Sequence, residues 1–293
     1  MRLHLWFSAL LAVLVWAGGA GWATAAELTV TVSILPQKAI VEAIGGEDVQ
    51  VQVLVQPGAS PATYEPSPRQ MAKLQRSSLY FAIGVPFEKA WLPRLRQGHP
   101  GLEVVHLEDE VVRRSMAREV GGKGHDHGSG MPDPHIWLSP PLVRTFSARI
   151  AEHLAEALPS QAAQIRSRYL RFASSVAALD AELASKLAPL AANHPHFLVF
   201  HPSWGYFAKA YGLVQTPVQL EGKQPSPRAL QDLVRLAEEL DLQTVFVQPQ
   251  FSRKTAQVVA EQIGGQVVEL DPLAADWAAN LRRVAKVMLR ELS

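Results

Sequence analysis

The chain has 293 residues, 48% of them hydrophobic and 19% charged, with 28 Lys and Arg against 27 Asp and Glu and a formal net charge of +1. At roughly 100–200 residues per domain this length points to two domains, and the apolar content excludes general disorder. The balanced charge lacks the basic excess of a nucleic-acid binder, and the absence of cysteine excludes disulfides, thiolate metal sites, a catalytic thiol and a lipid on an N-terminal cysteine.

Residues 1–26 read as a cleaved export signal peptide. Arg2 supplies a positive n-region, Leu5 to Trp16 an apolar h-region, and Ala23-Thr24-Ala25 a small-residue cleavage site. The run falls short of the about 20 apolar residues that span a bilayer and dissolves into Gly18, Gly19 and Gly21. Its removal leaves equal basic and acidic counts, and an exported, soluble protein is expected.

Leu28 to Leu35 reads as a buried strand ended by Pro36, with a short helix over Lys38 to Ile44. Val49 to Val55 alternates with period two, as a strand with one wetter face does. Gln56 to Ser67 is a loop rich in turn formers, and Ser67-Pro68-Arg69-Gln70 predicts a capping box with proline at the first helical position. A helix over 68–77 follows, then a strand at 79–83, a helix from Pro86 to about Arg96 and a strand at 103–107. The Gly- and His-containing loop Gly121 to Gly130 breaks this alternation, and Ser139 opens a helix reaching about Leu158. Ile165, Tyr169, Phe172, Val176, Leu179, Leu183 and Leu187 then mark one face of a helix of roughly 28 residues, about 40 Å long. Beyond Pro189, strands are predicted at 197–200, 214–220, 244–248 and 266–270, with helices near 203–211, 227–240, 252–263 and 273–291. The expected fold class is α/β: two parallel-sheet lobes with helices on both faces, joined by one long rigid helix. The boundaries are 27–159 for the first lobe, 160–189 for the linking helix and 190–293 for the second lobe.

Three of the residues able to carry chemistry stand at strand ends or helix starts: His135 in DPHIWL, His201 after the strand 197–200, and Asp271 after the strand 267–270. Ligands of open α/β sheets bind beyond the carboxyl ends of the strands. Each residue also has a plain structural role open to it. Asp271 before Pro272 is a good helix N-cap, a histidine after a strand is commonly a hydrogen-bonded scaffold residue, and His135 beside prolines suits an ordinary loop. The pair His125 and His127 fits either a solvated loop or metal capture.

Taken together, the segments GASP and YEPSP within 58–68, DPHIWLSP at 133–140, FHPSWGYF at 200–207, EGKQPSP at 221–227, FVQPQFS at 246–252 and DPLA at 271–274 resemble the substrate-binding proteins of zinc and manganese ABC importers, the cluster A-I family. The resemblance covers nearly all of the mature chain. It implies two α/β lobes, one long helix, and a single divalent cation in the cleft between the lobes. It also implies His135, His201 and Asp271 as ligands. Two imidazoles and a carboxylate suit Zn²⁺, and a histidine rather than a glutamate at 201 favours Zn²⁺ over Mn²⁺. The sequence departs from the family at Ala62, two residues before Tyr64, where a histidine ligand is usual. Water, His125 or His127 from the loop, or Glu65 are the substitutes; loss of tight binding is the remaining outcome.

The implied function is a monomeric periplasmic receptor, not an enzyme and not lipid-anchored, that captures Zn²⁺ and delivers it to an ABC-transporter permease in the inner membrane. The competing readings are a secreted zinc hydrolase with an open fourth position, for which only Glu65 or Glu221 could act as base and no HExxH exists, and an adhesin-like surface protein. Histidine ligates only when deprotonated, so affinity is expected to fall below about pH 6.5.

Overall fold

The structure, a computed structural model, describes residues 28–116, 131–219 and 226–292. In the first lobe the chain runs β1 (Leu28–Val32), α1 (Leu35–Gly45), β2 (Val49–Val53), α2 (Pro68–Leu74), β3 (Leu79–Ala82), α3 (Pro86–Gly98), β4 (Glu103–His106) and α4 (Pro140–Ala157). The long helix α5 spans Ala162–Asn193. The second lobe runs β5 (His196–Val199), α6 (Gly205–Ala210), β6 (Val214–Pro217), α7 (Pro227–Glu239), β7 (Thr244–Val247), α8 (Arg253–Gln262), β8 (Gln266–Glu269) and α9 (Trp277–Leu292).

Both sheets are parallel and share one strand order, β2-β1-β3-β4 and β6-β5-β7-β8. The expected α/β class with two parallel sheets and a connecting long helix is what the structure shows. Because every strand of a lobe points the same way, all its carboxyl ends lie on one edge. His201, two residues past β5, and Asp271, two residues past β8, are therefore delivered to the same edge of the second sheet.

Local signals account for most element boundaries. Ser67 Oγ accepts from Gln70 N at 3.4 Å while Gln70 Oε1 accepts from Ser67 N at 3.0 Å, the reciprocal cap expected from the sequence. Gln70 Nε2 also donates to Leu54 O at 2.6 Å, tying the loop 56–67 to the end of β2. Pro36 opens α1 instead of merely ending β1, since a first-turn proline lacks only an N–H that would be unbonded anyway. The helix α5 is longer than its apolar periodicity suggests and continues through Pro189 to Asn193. Ile165, Val176, Leu179, Leu183 and Leu187 form its buried face, with Tyr169 and Phe172 packed partly exposed beside them.

One hydrophobic core runs from the first sheet across α5 and α9 to one face of the second sheet, and a smaller one fills that sheet's other face. α9 packs on α5 and reaches α1, so the last helix of the second lobe also braces the first. At the carboxyl edge of the first sheet, the buried Glu88 carboxylate accepts from Ser33 Oγ and from Ile83 N and Gly84 N, while Ser33 Oγ bonds Tyr80 Oη at 2.7 Å. Burial, with the nearby charge of Glu108 adding to it, pushes the Glu88 carboxyl up to about 8. No helix among the described residues is long and apolar enough to cross a membrane.

Candidate metal centre

His135 sits on the turn that leads into a single 3-10 turn, Ile136–Leu138, and is buried. Asp133, two residues earlier and 2% exposed, accepts from His135 N at 3.0 Å and lies 2.7 Å from His135 Nδ1. With Nδ1 engaged, Nε2 is the nitrogen free to meet a cation, the arrangement in which a carboxylate fixes the tautomer and plane of a ligating imidazole. The His201 ring approaches from the second lobe, its centroid 5.5 Å from that of His135 at an interplanar angle of 70°. The fold thus brings two histidines, 66 positions apart in the chain, edge to face.

The segment before His135 is held from the other lobe. Ser115 and Pro132 form an antiparallel bridge, and Asp133 N donates to Arg114 O at 2.8 Å. Tyr206 Oη, on α6, accepts from Arg114 N at 3.0 Å and donates to Asp133 O at 3.1 Å, and Arg114 Nη1 donates to Gly205 O at 2.6 Å. The loop bearing His125 and His127 springs from this bridge, but both histidines lie outside the described residues.

Asp271 does not cap a helix. Its Oδ1 accepts from Leu273 N at 2.8 Å in a turn of its own, and Asp276 Oδ1 takes the capping role at Ala279 N, so α9 starts at Trp277 and not at 273. The Asp271 carboxylate lines a cavity of about 320 Å³, walled by Leu35, Val55, Gln56 and Gly58 from the first lobe and by Gln250 and Leu273 from the second. Among the described residues no group of three or more His, Asp or Glu side chains stands close enough to hold an ion. The structure brings His135 and His201 together, while Asp271 accepts from the backbone N–H of Leu273 and Glu65 lies exposed in the loop 56–67 beside the exposed Ala62.

Asp133 and Tyr206, which hold the segment around His135, carry roles that the sequence does not assign: Asp133 is not singled out there, and Tyr206 reads as core packing. A carboxylate two positions before a candidate ligand was visible in DPH. The reach of Tyr206 across the lobes was not, because it depends on how α6 packs.

Desolvation, with the neighbouring His135 adding to it, lowers the largely buried His201 from the usual 6.5 to about 3. Proton competition at His201 therefore begins far below the pH 6.5 expected from an ordinary imidazole. The same shift contributes to the pH dependence of the metal-free protein's stability. The unfolded chain takes up a proton near 6.5 and the folded one refuses it until about 3. The His201 contribution is thus full above pH 6.5 and falls through the window from 6.5 to 3, by up to about 1.4 kcal/mol per pH unit, while the raised Glu88 contributes with the opposite sign, present below 4.5 and lost as pH rises through about 8. Thermal melts of the stripped protein between pH 7 and 4 test this by difference: relative to His201→Gln, the wild type should lose stability as the pH falls, and a difference that stays constant with pH refutes the assignment.

A family model described as ZnuA, zinc-uptake complex component A, periplasmic, matches residues 30–290. The chain is 22% identical over 266 residues to the zinc-binding protein AdcA of Streptococcus pyogenes serotype M3, covering 84% of this chain and 50% of that protein. It therefore spans about half the length of that relative. A crystal structure of ZnuA shares 39% identity with a TM-score of 0.83, covering 91% of this chain and 99% of that one. The periplasmic zinc binding protein TroA from Treponema pallidum shares the fold at 18% identity, with a TM-score of 0.80 and coverage of 91% and 99%.

Proposed function

We propose, for a chain that belongs to the family of the periplasmic component A of zinc-uptake complexes, that it is the Zn²⁺ receptor of an ABC importer. It works as a monomer in the periplasm after loss of its signal peptide and hands its cargo to the permease in the inner membrane. No bond is made or broken; the work is capture and release.

The observation that carries this reading is the pair His135 and His201, one from each lobe, with rings 5.5 Å apart and the first oriented by Asp133. A cation held between them ties the lobes together, and a movement of one lobe on docking undoes the coordination. Asp271 is the third ligand, reached when its carboxylate swings from its own turn toward the cavity it lines. Neutral imidazoles and one carboxylate favour Zn²⁺ over the harder Mn²⁺. Ala62 offers no donor, and the fourth position falls to water, to Glu65 or to His125 or His127.

Titration of the metal-stripped mature protein with zinc chloride tests the reading. One zinc per chain is expected in the wild type, and Ala62→His, which adds an imidazole on the loop, should tighten it by about tenfold, or ~1.4 kcal/mol. A wild-type protein that takes up no zinc would remove the receptor assignment.

A further inference from the structure

The run Phe246 to Ser252 supplies no ligand, yet three of its side chains converge on the two donors of the second lobe. Gln248, 1% exposed just past β7, accepts from His201 N at 3.3 Å and donates to His201 O at 2.6 Å and to Ser203 Oγ at 2.7 Å. The ring of Phe251 stacks on the His201 imidazole, with centroids 4.9 Å apart and planes 26° from parallel. Between them in sequence, Gln250 turns to the other donor, its Nε2 3.4 Å from Asp271 Oδ1 on the wall of the cavity both residues line.

We propose that Gln248, Gln250 and Phe251 are positioning residues: Gln248 and Phe251 hold His201 in place opposite His135, and Gln250 keeps the Asp271 carboxylate beside the cavity, so that ion capture needs only the short swing of that carboxylate toward the two imidazoles. The inference rests on the receptor reading and deepens it. A glutamine amide carries both a donor and an acceptor, and Gln248 uses each on the main chain of one residue, closing His201 from its N–H and its C=O sides. The phenyl face fixes the imidazole plane that the main-chain clamp leaves free. Donors already held in place lose little freedom when the ion arrives, and the gain appears chiefly as slower release.

Gln248→Ala would strip three hydrogen bonds at once, so the test uses the half-buried partners, Gln250→Ala and Phe251→Leu, singly and together. Zinc is loaded as zinc chloride and its release followed with a chelating dye, while cobalt(II) replaces zinc for the visible ligand-field spectrum. The double variant should release zinc about tenfold faster than wild type and shift the cobalt bands, with the metal-free melting temperature unchanged within about 2 °C. Wild-type release rates and spectra in all variants overturn the inference, as does faster release accompanied by an equal loss of metal-free stability, which would mark a general scaffold role. A wild type that binds no zinc overturns the receptor reading and this inference with it; a zinc-binding wild type with indifferent variants overturns this inference alone.

Discussion

If zinc is held as proposed, His135→Ala is expected to lower its affinity by at least about 100-fold, and Asp133→Asn by about 10- to 100-fold. The ranking follows from the contacts. Alanine removes the nitrogen donor that the first lobe presents to His201. Asparagine leaves that donor present but offers Nδ1 a partner without charge, so the ring loses basicity and orientation, the usual consequence of weakening the group behind a ligating histidine. The fold should survive the asparagine substitution, since Asp133 Oδ1 also accepts from His135 N and a carboxamide oxygen can continue to do so. Competition with a chelator of known affinity measures all three proteins. Equal affinities across the series would mean that zinc is not held at this pair.

Trp137→Ala is expected to destabilise the protein by about 3–5 kcal/mol, the range for emptying a buried aromatic site. Trp137 is 1% exposed and stands two residues after His135. Its Nε1 donates to Pro272 O at 2.7 Å, and Trp277 Nε1 donates back to Trp137 O at 2.6 Å. This reciprocal pair locks the segment carrying His135 to the one carrying Asp271. Alanine therefore opens a cavity and also leaves Pro272 O without its buried donor. Trp137→Phe keeps most of the apolar volume and loses only the indole bond, for a smaller cost of about 1–3 kcal/mol. Denaturant unfolding followed by circular dichroism separates the two variants. If alanine cost no more than phenylalanine, packing at this junction would contribute little.

Where the information for a feature is local, it was readable in the chain. The capping box at Ser67 and Gln70 needs only residues three apart, and it forms as its spacing demands. The apolar stripe from Ile165 to Leu187 follows the helical repeat and is buried along that stripe. Alternating strands and helices required a parallel sheet in each lobe, and strand ends placed His201 and Asp271 on a common edge. Helix termini were less legible. Pro36 reads in the sequence only as the end of a strand but opens α1, as first-turn chemistry allows, whereas packing of α5 against the core carries that helix past Pro189. Asp271 is a sharper case: by spacing alone the residue before Pro272 reads first as a helix cap, and the cap falls instead to Asp276.

The sequence by itself determined the elements, their order, the fold class and the two histidines worth pairing, because these depend on periodicity, on turn chemistry and on residues that lie near one another along the chain. Tertiary structure alone decided that His135 and His201 face each other, that Asp133 and Gln248 hold them, and that Tyr206, Trp137 and Trp277 stitch the lobes together. Those contacts join residues 47 to 140 positions apart, except for Asp133, which lies beside its partner. Those that cross between the lobes depend on the angle at which the two packed lobes meet, a quantity set by the summed shape of a shared core and written in no short stretch of chain.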